Sequence, residues 1–306
     1  MTSWREPDSI DCGSVEPEAA FDAGLLNHHV SSTAYPIAHD STWRPYRVRR
    51  EEVETTTVSA FRSISELGLY AHIPFCETRC SFCEYTVTRR SEHSGVAAYM
   101  DALLRELALY EEAIALPEKT LAGFDIGGGT PSFVPADEID RLVAAVRERL
   151  RFREGADISI ETTPRIAAGQ PSKLHAYRGS GIDRISMGIQ VIEPDLLKVL
   201  NREANGVEAH RAAVDNIRDA GFRRMNLDLM YGFKDQSLES WRATVRHAID
   251  LGPEYITLYR MRYKLTRISH QAPAVTLERV RPMERLAKAM LLDAGFFATP
   301  GKTTFS

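Results

Sequence analysis

The stretch Leu69-Tyr70-Ala71-His72-Ile73-Pro74-Phe75-Cys76-Glu77-Thr78-Arg79-Cys80-Ser81-Phe82-Cys83 joins two unlike textures. Leu69–Ile73 is a short apolar run stopped by a proline, which reads as a buried strand. Three cysteines follow at once, spaced C-x3-C-x2-C. Three thiols on one loop read as metal ligands rather than disulfide partners in a reducing compartment. Thiolates suit iron–sulfur clusters. Three of them leave one iron of a four-iron cluster open, and an open metal position can take a substrate or cofactor. The competing reading is a structural zinc site completed by His72 or His93. Cys12 stands apart in a polar segment and is given no role.

Working outward, five further runs resemble buried parallel strands: Leu121–Ile126, Ile158–Ile160, Ile182–Met187, Met225–Met230 and Tyr255–Leu258. Helical patterns lie between them. Tyr99, Leu103, Leu107, Tyr110 and Ile114 mark one apolar stripe, and Ile139, Leu142, Val143, Val146 and Leu150 another, opened by Pro135 or Asp137. Residues 206–220 and 237–250 end at Gly221 and Gly252, and a last helix over 277–294 ends at Gly295. Six alternating strand–helix units predict an α/β fold with a parallel sheet and right-handed crossovers. The count falls short of a closed eightfold barrel and fits a partial (β/α)6 TIM-type barrel. Residues 1–65 lack periodicity and read as an N-terminal arm or cap, leaving the barrel to 66–306.

The 306 residues are 43% hydrophobic and 26% charged, with net charge −4. That balance excludes a strongly basic nucleic-acid binder. No apolar run reaches membrane-spanning length, and the acidic start lacks the form of a signal peptide. A cytoplasmic protein without nucleic-acid or membrane partners is expected.

A glycine turn, Gly127-Gly128-Gly129-Thr130-Pro131-Ser132, follows the second strand, where glycine lets backbone approach a ligand closely. Polar residues close later strands: Glu161 the third, Gln190 the fourth, Asp228 within the fifth, with Arg202 in Leu200-Asn201-Arg202-Glu203. Singly, each also fits a solvated strand end, a surface charge or a cap. Together they gather at the C-terminal ends of successive strands, where β/α barrels form their sites. Tyr259, Arg260 and Arg262 end the sixth strand and could face substrate, arginine being suited to carboxylate or phosphate.

On these residues the chain resembles the radical S-adenosylmethionine (SAM) superfamily. More narrowly, Leu69–Cys76 resembles the oxygen-independent coproporphyrinogen III oxidase (HemN-like) branch. The resemblance runs from about residue 32 to the end, and takes in Ser32-Thr33-Ala34-Tyr35-Pro36 and Thr86-Val87-Thr88-Arg89. It implies a [4Fe–4S] cluster held by Cys76, Cys80 and Cys83. It implies SAM contacts from Tyr70, from Gly128, Gly129 and Thr130 to the amino group, from Glu161 to the ribose, from Gln190 and Asp228 to the adenosyl part, and from Arg202 to the carboxylate. Reductive cleavage of SAM to a 5′-deoxyadenosyl radical, a small-molecule substrate and a flavodoxin- or ferredoxin-type electron donor are implied with them.

The sequence departs from that branch in places. Glu84-Tyr85 stand where Gly-Cys is usual, Val191-Ile192 where Asp-Phe is, and Tyr231-Gly232-Phe233 where a Leu-Pro pair is common. The C-terminal helical domain of those enzymes is expected to be absent or truncated. These departures point the expectation to hydrogen abstraction from a small polar metabolite in natural-product biosynthesis, leading to decarboxylation. The alternatives are methyl transfer or cyclopropanation with a second SAM, and a coproporphyrinogen oxidase-like protein. Outside catalysis stand a haem chaperone using His28, His29, His39 or His72, and an electron-transfer iron–sulfur protein.

Overall fold

Short runs of alternating residues make the sheet, and helices cover the face on which the apolar ones fall. The computed structural model describes Val58 and residues 61–85, 87–88, 95–298 and 303–306. The expected arm over 1–65 therefore lies outside the described residues except for its last few. So do Cys12, His28, His29, His39, His93, Ser32–Pro36, Thr86 and Arg89.

Seven strands form one sheet in chain order. They are β1 (Glu66–Ile73), β2 (Thr120–Gly128), β3 (Arg151–Thr162), β4 (Arg184–Gln190), β5 (Arg224–Tyr231), β6 (Tyr255–Arg260) and β7 (Thr304–Phe305). β1 to β6 run parallel, and β7 lies antiparallel on β6. The sheet is not closed, in keeping with the expected partial barrel. β7 was not visible as a strand in the sequence. It forms because Thr303 O accepts from Leu258 N at 2.9 Å, and Phe297 and Ser306 exchange backbone hydrogen bonds of 2.8 and 2.9 Å.

The long helices are α1 (Val96–Ala113), α2 (Ala136–Arg149), α6 (Val207–Asp219), α7 (Leu238–Asp250) and α8 (Leu277–Asp293). The two expected stripes differ in outcome: α2 buries Ile139, Leu142, Val143 and Val146, whereas α1 buries Leu107 together with Met100 and leaves Tyr110 exposed. In α2, Asp137 and Glu138 occupy the first turn and Arg147 and Arg149 the last, complementing the helix dipole. Ser237 and Ser240 form a reciprocal capping box at the start of α7. Three short helices, α3 (Pro164–Gly169), α4 (Pro171–Gly179) and α5 (Pro194–Val199), are new. Each begins at a proline in its first turn, but runs of six to nine residues are too short to display a helical period.

One expectation is corrected: the strands are not buried on both faces. The outer, helix-covered face carries Ala71, Ile73, Phe124, Ile126, Ile158, Ile160, Ile185, Met187, Met225, Leu227, Leu229, Ile256 and Leu258, all buried in one core. The inner face carries Tyr70, His72, Asp125, Ser159, Glu161, Ser186, Asn226, Asp228, Thr257 and Tyr259. The register places them side by side: Tyr70 opposite Asp125, Asp125 opposite Ser159, Glu161 opposite Ser186, Ser186 opposite Asn226, and Asp228 opposite Thr257. The strands are thus one-sided, and polar side chains line the interior.

A smaller core of Val191, Leu196, Leu197, Leu200, Phe233, Met261, Tyr263 and Ile268 sits beyond the C-terminal ends of β4 to β6, with Phe82 packed against it. Among the described residues no helix is long and apolar enough to cross a membrane.

Trp241 ties α7 to α8. It is fully buried, donates from Nε1 to Met283 O at 2.8 Å, and stacks near Tyr231 with centroids 5.4 Å apart. Trp241→Ala should cost about 3–5 kcal/mol. Trp241→Phe, which removes the donor to Met283 O but keeps most of the volume, should cost less, about 0.5–1.5 kcal/mol. Urea unfolding of both variants checks the ranking.

Candidate active site at the C-terminal ends of the strands

Residues 74–85 form a loop laid across the ends of the strands, and its contacts follow the strand order. Cys76 Sγ meets Thr130 Oγ1, after β2, at 3.4 Å. Glu77 pairs with Arg165, after β3. Asn201, after β4, donates to Arg79 O at 3.0 Å, and Ser81 N donates to Leu200 O at 3.0 Å. Phe82 lies edge-on to Phe233, after β5, with centroids 6.3 Å apart. Glu84 pairs with Arg262, after β6, and Arg267 N donates to Ser81 O at 3.1 Å. Arg262, expected to face substrate, is instead tied to this loop. Arg260 is half-buried, and Tyr259 is exposed on the inner face.

The three cysteines are reduced; Cys76 is buried, and Cys80 and Cys83 are half-buried. Burial pushes the Cys76 thiol up to about 11 against the Thr130 hydrogen bond, and burial also raises Cys83. Such thiols ionise by exchanging the proton for a metal. Among the described residues, no three His, Cys, Asp or Glu side chains converge on one point as ligands of a single ion do. A four-iron cluster needs no such convergence, because each thiolate meets its own iron; the zinc reading through His93 lies outside the described residues.

The glycine stretch is not a simple turn, since Gly127 and Gly128 still belong to β2. Gly128 has φ +117°, and a Cβ there would lie 2.7 Å from the His72 ring. A Cβ on Gly129 would lie 2.8 Å from Pro74 C and 2.9 Å from Phe75 O. Glycine therefore lets β2 lie directly against the cysteine loop, where Gly129 N donates to Ile73 O and Thr130 N to Phe75 O, both at 2.8 Å.

The other candidate residues come together on the inner face. Glu161 accepts from Gly128 N at 3.1 Å. It is open to the space between the strand ends, although protein surrounds most of its carboxyl. Desolvation first, and then the Asp228 charge, push that carboxyl up to about 7. Asp228 accepts from Asn226 at 2.7 Å and from Ser186 at 3.3 Å. Desolvation still pushes its carboxyl up to about 6 against those bonds and the Arg184 charge. Gln190 ends β4 at a bulge with φ +70°, and its Oε1 is buried without a hydrogen-bond partner. Arg202 is buried between α5 and α6. It donates from Nη1 to Cys80 Sγ at 3.3 Å and from Nη2 to Gly188 O at 2.5 Å, and its Nε has no partner. A buried unpaired polar atom costs about 1–3 kcal/mol, so Gln190 Oε1 and Arg202 Nε are placed to gain from a polar ligand. Tyr70 is partly exposed, its hydroxyl 3.4 Å from His72 Nδ1.

Sequence reasoning missed the layer beneath. Asp125 holds Ser159 and Arg184, Arg224 holds Asp157 and Asp183, and Thr257 donates to Asn226 at 2.9 Å. The signal is present as polar residues alternating with apolar ones along β3 to β6.

Both raised carboxyls keep their protons to higher pH in the folded chain than in the unfolded one. Their contribution to stability is complete below the ordinary carboxylate range. It is lost as pH rises through about 6 for Asp228 and about 7 for Glu161. In Glu161→Gln the urea midpoint of the metal-free chain should fall less between about pH 4 and about pH 8 than in wild type. Gly129→Ala should displace Pro74 and Phe75, and with them Cys76. Iron uptake on anaerobic reconstitution should drop while the helical circular dichroism stays.

The comparisons with known proteins agree with this geometry. The family model "Radical SAM superfamily" matches residues 70–248. An oxygen-independent coproporphyrinogen III oxidase of Paracoccus denitrificans is 32% identical over 80% of this chain and 52% of its own. The heme chaperone HemW of Haemophilus influenzae is 34% identical over 64% of this chain and 51% of its own. The chain thus spans about half the length of these curated relatives. The solved structure of coproporphyrinogen III oxidase (HemN) from Escherichia coli superposes with a TM-score of 0.74 at 27% identity, covering 92% of this chain and 63% of that one. The chain belongs to the radical SAM superfamily, in its HemN-like branch, whose cofactors are a [4Fe–4S] cluster and SAM.

Proposed function

We propose that this chain is the radical-generating core of a HemN-like enzyme that removes hydrogen beside a carboxylate and so initiates decarboxylation. The observation that carries this reading is the meeting of three unbridged cysteines with unsatisfied Gln190 Oε1 and Arg202 Nε at the strand ends. Cys76, Cys80 and Cys83 are the cluster ligands. When bound, the reduced cluster and SAM together would supply a carbon-centred radical able to take hydrogen from an unreactive C–H bond.

The chain's own residues bind and orient. Gly128, Gly129 and Thr130 offer close backbone to the amino group of SAM, and the free Arg202 Nε suits its carboxylate. Glu161 has one oxygen on Gly128 N and another left for ribose hydroxyls. Gln190 and Asp228 would contact the adenosyl part of SAM, and Tyr70 would flank it. The one-electron donor is of flavodoxin or ferredoxin type.

The relatives favour a coproporphyrinogen oxidase-like or haem-handling protein over the natural-product setting that the sequence departures first pointed to. A tetrapyrrole with propionate side chains is therefore the first substrate to assay. The similarity to HemW supports a second reading, haem binding.

Anaerobic reconstitution followed by SAM and dithionite should yield 5′-deoxyadenosine, and Cys80→Ala should yield none. Added coproporphyrinogen, supplied with a one-electron acceptor for the electron left on the substrate, should lose carbon dioxide. A chain that assembles a cluster, never cleaves SAM and develops a Soret band with hemin would instead be a haem-binding protein.

A further inference from the structure

Arg202 is held in place from several sides. Its backbone N donates to Leu197 O at 2.8 Å, and its carbonyl accepts from Asn205 N at 2.9 Å. Asn205, also buried, accepts from Arg165 N at 3.1 Å, and Arg165 pairs with Glu77 of the cysteine loop. Asn201, with φ +59°, donates to Arg79 O of the same loop. The guanidinium thus has little freedom, and the residues around it are tied to the loop that carries Cys80.

Within that frame Nη2 is anchored on Gly188 O at 2.5 Å, and Nη1 reaches Cys80 Sγ at 3.3 Å. The anchor lies at the β4 bulge, and the absence of a side chain on Gly188 leaves room for both Gln190 and the guanidinium. An arginine stays charged at all working pH values. The sulfur of Cys80 therefore has beside it a fixed N–H donor and a fixed positive charge, both largely shielded from water.

Hydrogen bonds to ligand sulfurs and net charge near a cluster set its reduction potential. A donor that withdraws electron density from a thiolate, and a cation that offsets the added electron, both favour the reduced form. We propose that Arg202 is a positioning residue for the cluster: it donates to the Cys80 thiolate and raises the cluster's reduction potential, independently of its contact with SAM. This rests on the reading of Cys76, Cys80 and Cys83 as cluster ligands. It adds a task for an arginine otherwise assigned only to the SAM carboxylate.

The test uses the full chain, reconstituted anaerobically without SAM, with the potential read by EPR-monitored titration. In Arg202→Gln the iron and sulfide per chain should match wild type. The oxidised-to-reduced ratio at a fixed poise should rise about tenfold, which for a one-electron couple is a shift of about 59 mV to lower potential. Arg202→Lys keeps the charge but not the two-nitrogen fork, and should fall between. Equal potentials in all three proteins would overturn the proposal and leave Arg202 with SAM alone. A second measurement needs no variant at the site. Wild type labelled with 15N-arginine should show nitrogen hyperfine coupling to the reduced cluster by pulsed EPR. Absence of that coupling overturns the proposal even where the Gln variant assembles no cluster. A wild type that gains no iron–sulfur absorbance would overturn the cluster reading itself, and is told apart by that absorbance alone.

Discussion

The docking of the cysteine loop over the strand ends is the contact on which the site depends. A loop of this kind has no ladder of its own, so its polar groups must find partners elsewhere. Here Arg79 O, Ser81 N and Ser81 O all bond to segments that follow β4 and β6, and two ion pairs join Glu77 and Glu84 to segments that follow β3 and β6. Part-buried ion pairs of this sort add modest energy singly but fix register when several act together. The spacing of the three thiols is thereby set by five strands at once. Any shift of β3 through β6 relative to β1 would be felt at the cysteines.

Beneath that loop the sheet separates two tasks. Its outer face packs isoleucine, leucine and methionine against the long helices and supplies the burial that holds the fold. Its inner face is a connected set of carboxylates, arginines, amides and hydroxyls. In this set the Asp228 charge lies near enough to raise the proton affinity of Glu161, and Arg184 offsets part of the rise at both carboxyls. Gln190 is held at positive φ where β4 bulges, a strain of the kind that collects at ligand sites.

Much of this was legible in the sequence, for identifiable reasons. The C-x3-C-x2-C loop, the glycines and the strand-end polar residues sit at fixed offsets from apolar runs, so local pattern was enough to place them at one end of the sheet. The long helices announced themselves through their stripes and terminal glycines. What escaped depends on contacts distant in sequence. Nothing near Glu84 reveals Arg262, and nothing near Cys80 reveals Arg202. β7 exists only because β6 offers it an edge, and its two residues carry no period. The one-sidedness of the strands was in plain view, yet an alternating serine or aspartate within an apolar run is easily taken for noise when both faces are assumed to be covered.

That one-sidedness bears on how such a protein can change over evolutionary time. Where a barrel interior is filled with packed aliphatic side chains, each replacement there disturbs the core and exacts a loss of stability. In this chain the aliphatic packing lies on the opposite side of the sheet from the polar side chains of the inner face. Exchanging the exposed Tyr259 for another residue would remodel the lining without opening a void in the main core. A lineage built on this plan can explore new substrates while its stability drifts little, and members that share the sheet and the cysteine loop can diverge widely in what they transform.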